Sequence, residues 1–394
     1  LPVRLSSGEL TGLLDGHGVA EDLPIHGVKE MMDKDPALEL QEIIKHYDIG
    51  DLLGFELNQR GYVNLSYVIE TVKAGQKYRY FLRKYKKGIS AQELDFEHSL
   101  IAHLVAKKFH QVARVIPTKS LGSYVLQYEG GQSKGPVFYA VFELLPGEDK
   151  YTWVNPNCDQ PELVSAAGIL ARFHQAVTDL KPAGSRAEPK IVDLLPVIAG
   201  TLSEYLNRTK HTAFDQYLLD NLDLIKVNLE KTRRVLAQPT YRQLLQLPIH
   251  CDYHPGNLKF QQGEVVGLFD FDWSKIDARC FDLALAIFYF FTSWGAKSDG
   301  RLRLDQVTLF LKTYQQTLKN LPGAIPLNSL ELNFLPTLIN AGNLYVLNWT
   351  IEDYLNKEVD PQEYLVFLRH GVNFAKWYED PKDQKKLQES IQKI

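Results

Sequence analysis

The run His250-Cys251-Asp252-Tyr253-His254-Pro255-Gly256-Asn257-Leu258-Lys259-Phe260 gathers hard oxygen donors around turn-forming residues. It is followed by Glu264-Val265-Val266-Gly267-Leu268-Phe269-Asp270-Phe271-Asp272. Pro255-Gly256 fits neither a helix interior nor a central strand, so the first part reads as a loop. Segments 258–260 and 265–269 read as two short strands turning near Gln262-Gly263. Asp252 precedes this hairpin, Asn257 enters it and Asp270 leaves it, so an amide and a carboxylate thirteen positions apart can converge. Phosphoryl transfer needs such a trio: one carboxylate to orient the attacking hydroxyl and take its proton, and two oxygen ligands for Mg²⁺. The Asp-x-x-x-x-Asn spacing matches a phosphotransfer catalytic loop. Either half alone is an ordinary loop, and His250 alone reads as a buried histidine. Both halves, in order and joined by a hairpin, carry the reading. With no histidine-led dyad beside Cys251, thiol chemistry is set aside.

This pattern resembles the aminoglycoside phosphotransferase and choline kinase superfamily, the small-molecule branch of the protein-kinase-like fold. The motif there runs His-Gly-Asp-x-His-x-x-Asn, then Asp-Phe-(Asp/Glu). The resemblance covers 38–375 and implies ATP and Mg²⁺ as cofactors. It makes Asp252 the catalytic carboxylate, Asn257 and Asp270 the metal ligands, and Asp282 a brace of the catalytic loop, with His250 as structural support. Type II homoserine kinases look nearest: they share His-Cys-Asp, a Phe-Phe-Asp-Phe-like metal strand and an early His-Tyr-Asp-(Leu/Ile)-Gly, here 46–50. Cys251 replaces the usual Gly, and His254-Pro255-Gly256 stands closer to the wider superfamily.

The same resemblance assigns nucleotide contacts. Gly61 and Asn64 fall on the segment that covers the phosphates, although no Walker loop is present. Strand alternation leaves Arg83 and Lys84 as rival phosphate cations, and the family register favours Arg83. Glu97 is its expected partner, with Glu93 one turn earlier as the alternative. Adenine is expected at 142–147, read by the Glu143 carbonyl and the Leu145 N–H, with Val141 and Leu258 covering its faces. Acceptor candidates are Asp272, Trp273, Arg279, Tyr345 and Trp349, the last two one helical turn apart.

These residues need a scaffold. A helix is expected after Pro36, ended by Gly50. Strands follow at 52–57, 62–71 and 78–85, then a helix at 91–106 and strands at 123–129 and 136–144. Beyond Pro146-Gly147 helices dominate, with breaks near Pro196 and Pro239 and short strands at 248–272. The expected fold is α+β and bilobal, protein-kinase-like. A small antiparallel-sheet lobe spans 37–145 and a large, mostly helical lobe 146–394. Residues 1–36 hold no sustained period and read as a loosely attached extension, with 1–30 vector-derived or a trimmed start.

Composition narrows the classes. The 394 residues carry 44 basic and 48 acidic side chains, a net charge of −4, which argues against a nucleic-acid partner. Three scattered cysteines argue against a disulfide scaffold and for a reducing, cytoplasmic setting. The longest apolar run, 283–291, is nine residues against the ~20 of a bilayer span, so no membrane partner is expected. The expected activity is an ATP-dependent kinase acting on a small-molecule hydroxyl, homoserine or a similar amino alcohol first. The alternatives are a sugar, amino-sugar or aminoglycoside kinase, or a non-catalytic nucleotide-binding protein. Oligomeric state is left open.

Overall fold

The computed structural model describes residues 36–58, 64–128, 135–208 and 210–394. Helix α1 (Pro36–Ile44) leads into β1 (Asp51–Asn58), β2 (Leu65–Lys73) and β3 (Gln76–Lys84), then α2 (Ala91–Ala106), β4 (Val125–Tyr128) and β5 (Pro136–Glu143). The five strands form one antiparallel sheet in the order β1-β2-β3-β5-β4. Ala74 and Gly75, both left-handed, close the β2–β3 hairpin.

Each face of this sheet is apolar, so each needs a cover. On one face Leu65, Tyr67, Ile69, Leu82 and Val141 pack beneath Leu40, Ile43 and Ile44 of α1. Each of these aliphatic side chains contributes about 1.5–3 kcal/mol by leaving water. On the other face Tyr85, Phe138, Ala140 and Phe142 meet Leu94, Leu100 and Leu104 of α2. Alternation therefore settles the two rival cations. Arg83 shares the α2 face, whereas Lys84 turns to the α1 face and pairs with Glu39 at 2.8 Å.

Ser90 starts α2 with a capping box, its hydroxyl accepting from Glu93 N and its own N–H donating to the Glu93 carboxylate at 3.0 Å. Several ties hold α2 and its C-cap to the end of the next helix and the chain that follows it. His103 Nε2 lies 2.9 Å from the Ala176 carbonyl, and Lys107 Nζ 2.6 Å from Asp179. Ala183 N donates to Ser99 Oγ, and Ser185 Oγ to Gln92 Oε1.

The larger region contains α3 (Gln160–Ala176), α4 (Ile191–Tyr205), α5 (Ala213–Leu236), β6 (Gln246–Ile249), β7 (Leu258–Gln261), β8 (Glu264–Leu268) and β9 (Lys275–Ala278). It ends with α6 (Arg279–Phe291), α7 (Leu304–Asn320), α8 (Ser329–Asn356), α9 (Pro361–Glu379) and α10 (Pro381–Gln392). Every residue of α6 is buried, so the apolar run 283–291 is the interior of the central helix. No helix among the described residues is long and apolar enough to cross a membrane. The architecture is bilobal α+β, protein-kinase-like, as expected.

Two local expectations need correction. The break at Pro196 does not occur. Helix α4 runs through it, because losing one backbone bond is outweighed by the buried face of Ile191, Leu194, Leu195, Ile198 and Leu202. Strand β9, antiparallel to β6, was not anticipated. Its Lys275 and Asp277 are buried charges, which mask a strand pattern. Asp277 accepts from Ile191 N and Ala278 N, both at 2.7 Å.

Gly147, just past β5, has φ +90°, and Glu148 exchanges two backbone bonds with Phe260 of β7. A Cβ at 147 would sit 2.5 Å from Val266 Cγ2 and 3.0 Å from the Phe260 carbonyl. Gly88 has a similar φ of +83° and open space around it. Gly88→Ala should therefore cost only the left-handed penalty, about 1–2 kcal/mol. Gly147→Ala adds overpacking, for about 2–5 kcal/mol in total. Denaturant titration of both variants measures the difference.

Candidate phosphotransfer site

The β7–β8 hairpin turns through Gln262 and Gly263, both with positive φ, and so returns the chain to its start. Phe269 N donates to the Asn257 carbonyl at 3.2 Å, which brings Asp270 back beside Asn257. Asn257 Nδ2 donates to the Asp252 carbonyl (2.9 Å) and to Asp252 Oδ2 (3.0 Å). Its amide oxygen is thereby left as an acceptor on the side of the cleft that Asn257 lines. The three residues expected to converge do so.

The loop is held from behind. Asp282, at the start of α6, accepts from His250 N (2.9 Å) and Cys251 N (2.8 Å), and His174 Nε2 lies 3.0 Å from it. The Tyr314 hydroxyl, 2.6 Å from His174 Nδ1, extends the chain to α7. Burial holds both His174 and His250 below the ordinary histidine range. His250 Nε2 meets the Phe269 carbonyl at 3.0 Å, tying the Asp252 loop to the strand that delivers Asp270. Cys251 has φ +61°, a left-handed backbone that suits the glycine common in related motifs.

Arg83 enters from β3. Its guanidinium is buried, 2.5 Å from Asp272, 3.3 Å from Asp270 and 3.5 Å from Glu97. Its strongest partner is therefore Asp272 rather than Glu97. Burial works against the Asp272 charge, but Arg83, Arg186 and the Asn64 amide outweigh it and hold that carboxyl below its usual range. Burial and the Asp272 charge lift Glu97 to about 8. The same two causes raise Asp270. Asp270 Oδ1 is buried and accepts no hydrogen bond among the described residues. With the Asn257 amide oxygen it forms a hard-oxygen pair suited to Mg²⁺.

A cleft opens beside this network. Arg83, Glu97, Asn64 and Asp270 line its polar end, and Phe81, Phe142, Leu145 and Leu268 its apolar end. Glu143 also lines it. Val141 and Leu258 do not. Val141 faces α1 through strand alternation, and Leu258 is enclosed in the main core. Leu268, the cross-strand partner of Leu258, reaches the cleft instead. Gly61 lies outside the described residues.

The acceptor candidates divide. Arg279 is a structural cation: it clamps Glu331 bidentately at 2.7–3.0 Å and donates to the Ile325 carbonyl, while Glu331 caps α8. Sequence could not show a partner 52 positions away. Asp272 is engaged by Arg83 and by the Asn64 amide. Trp273 lies under the Lys86 ammonium at 4.8 Å. Glu93 is used in the α2 cap, which leaves Glu97 beside Arg83. Tyr345 and Trp349 are buried on α8. Sequence reasoning missed Tyr289, whose ring packs edge-on against His254 at 5.1 Å, because it sits inside the apolar run. His254, with Nε2 3.5 Å from Asp252, was read only as a motif position.

Behind Glu97, His98 is wedged between the Tyr85 hydroxyl (2.9 Å) and Ser123 Oγ (2.8 Å), and burial lowers it to about 4. The native state therefore keeps His98 neutral where the unfolded chain protonates it. That stability is complete above pH 6.5 and declines as pH falls toward 4, by up to about 3 kcal/mol. Denaturation midpoints across this window should show the decline, and His98→Gln should flatten it.

The phosphotransferase enzyme family (APH) matches residues 54–318. The homoserine kinase of Parvibaculum lavamentivorans is 27% identical over 342 residues, covering 85% of this chain and 93% of that protein. The homoserine kinase of Bradyrhizobium sp. (strain ORS 278) is 26% identical, covering 84% and 92%. A microcompartment-associated aminopropanol kinase superposes with TM-score 0.63 at 15% identity, over 89% of this chain and 98% of that one. The amicoumacin kinase hAmiN, solved with AMP-PNP and Ca²⁺, gives TM-score 0.62 at 16% identity, over 91% and 96%. At such identities the solved structures establish the fold, and the family match over two-thirds of the sequence establishes membership. This chain belongs to the phosphotransferase enzyme family.

Proposed function

We propose that this chain is an ATP- and Mg²⁺-dependent kinase of a small-molecule hydroxyl, with homoserine the first acceptor to test. The observation that carries the reading is the joint placement of Asp252, Asn257 and Asp270 beside Arg83. The region 37–145 would hold the nucleotide, with Glu143 and Leu145 at the adenine end, and 146–394 would supply catalysis and the acceptor site. The homoserine kinase relatives support the choice of acceptor. The aminopropanol kinase likeness keeps simpler amino alcohols beside it.

Asp252 would orient the acceptor hydroxyl. As its oxygen bonds to the γ-phosphorus and the bond to the bridging oxygen of ADP breaks, the hydroxyl proton passes to Asp252. Asn257 and Asp270 would hold Mg²⁺, which when bound neutralises charge on the transferring phosphoryl group. Arg83 would exchange part of its contact with Asp272 for nucleotide phosphate.

Asp252→Asn keeps the shape but loses the base, so kcat should fall by roughly 10²–10⁴ while ATP affinity changes little. Arg83→Ala should weaken ATP binding as well, because its charge meets phosphates before the reaction starts. Asp270→Ala should abolish turnover, and Asn257→Ala should reduce it severely. Nucleotide titration alongside steady-state ATP consumption with homoserine separates these cases. Loss of ATP affinity with near-normal kcat in Asp252→Asn would make Asp252 structural and sink the assignment.

A further inference from the structure

Two histidines flank Asp252, at positions −2 and +2, and the structure uses them differently. His250 turns back into the scaffold, with Nε2 3.0 Å from the Phe269 carbonyl. His254 is 1% exposed, yet neither of its ring nitrogens has a hydrogen-bond partner among the described residues. Buried polar groups are paired as a rule, so an imidazole with both nitrogens idle needs a reason. Filling space is not one, since an apolar side chain would do that without stranding polar atoms.

Packing sets the position of the ring. A Cβ at Gly256 would lie 2.9 Å from His254 Cε1 and 3.0 Å from Nδ1, so the ring rests against the bare Cα of that glycine. Gly256 has no positive φ, so it serves to make room rather than to permit a turn. From another side the ring of Tyr289, on α6, meets His254 edge-on. Held in this way, the imidazole brings Nε2 to 3.5 Å from Asp252 Oδ2.

That separation is just beyond an N–H···O bond. The same carboxylate oxygen accepts from Asn257 Nδ2 at 3.0 Å, and Asn257 N donates to the His254 carbonyl at 2.9 Å. Two side-chain nitrogens from one turn thus converge on one oxygen. A second donor there resists rotation of the carboxylate. Hydrogen bonds around a catalytic base are often long before substrates bind and tighten in the reacting complex.

We infer that His254 is a positioning residue: with its proton on Nε2 it closes onto Asp252 Oδ2 as the acceptor is seated, and with Asn257 it holds the carboxylate in line with the acceptor hydroxyl. The role belongs to the transfer step and not to nucleotide binding, since His254 is not among the residues lining the cleft. This rests on the kinase reading above.

The test uses the full chain with ATP·Mg²⁺ and homoserine. His254→Phe keeps a ring against Gly256 and Tyr289 but removes both nitrogens, and His254→Leu removes the ring as well. Misplacing a reacting group by about 1 Å can cost about 10²-fold, so both variants should lower kcat by about 30–100-fold. KM for homoserine, and ATP affinity by titration, should stay within about threefold of wild type. Retained ATP affinity certifies the fold, and if one variant fails that check the other decides. His254→Gln carries an amide nitrogen to a similar reach and should recover at least a tenfold part of the loss, which packing alone would not. In an Asp252→Asn background His254→Phe should cost less than about threefold more, because a residue acting through Asp252 has nothing left to position. Near-normal kcat in His254→Phe and His254→Leu overturns the inference. So does a loss that His254→Gln leaves unrecovered, or one that adds in full to that of Asp252→Asn, since either makes the ring a packing element. These outcomes leave the kinase reading standing. Absence of turnover by the wild type overturns the kinase reading itself, and the inference falls with it.

Discussion

The site depends on one buried carboxylate. Asp282 receives the backbone N–H groups of His250 and Cys251, and those two bonds fix the loop from which Asp252 projects. A loop carrying a left-handed Cys251 would otherwise relax, since that conformation is unfavourable for any residue with a Cβ. Asp282 can serve because α6 is entirely interior, which keeps water from competing for its oxygens. The His174–Tyr314 relay then transmits the rigidity of α3 and α7 to the same point. Removing the carboxylate would leave two buried donors unsatisfied, at about 1–3 kcal/mol each.

Around this brace the charges are arranged in tension. Arg83 faces Asp270, Asp272 and Glu97, three carboxyl groups for one guanidinium, and burial discourages ionisation of them all. The shifts divide accordingly: Asp272, nearest to Arg83, stays ionised, while Glu97 drifts toward neutrality. A polyphosphate carrying a cation would bring both a new partner for Arg83 and a new counter-charge for Asp270. The cluster would thus gain electrostatically from a ligand that is anionic at one end and cation-bearing at the other.

Much of this was legible in sequence for a physical reason. Asp252, Asn257 and Asp270 lie in turns at the ends of one hairpin, so their coming together was readable from local spacing. Helix α1 and the two hairpins were legible because their periods and turn residues are local properties. What could not be read was decided by distant partners. Arg279 looked like an acceptor contact until Glu331 arrived from another helix. Strand β9 was hidden because Lys275 and Asp277 satisfy each other and the backbone inside the core. Leu258 and Leu268 could not be told apart, because both are apolar and only the packing of the hairpin decides which one reaches the cleft.

Helix α2 carries Glu97, yet its anchors are to Ala176, Asp179, Ala183 and Ser185, spread along its whole length. It is tied to the sheet as well, by His98 against the Tyr85 hydroxyl and by Leu94, Leu100 and Leu104 packed on Phe138, Ala140 and Phe142. The Arg83–Glu97 contact therefore joins the sheet to a helix that is fastened on both sides. A helix fastened on both sides keeps Glu97 at a set distance from Arg83, so the charge cluster that faces the cleft is fixed by the packing of both regions at once.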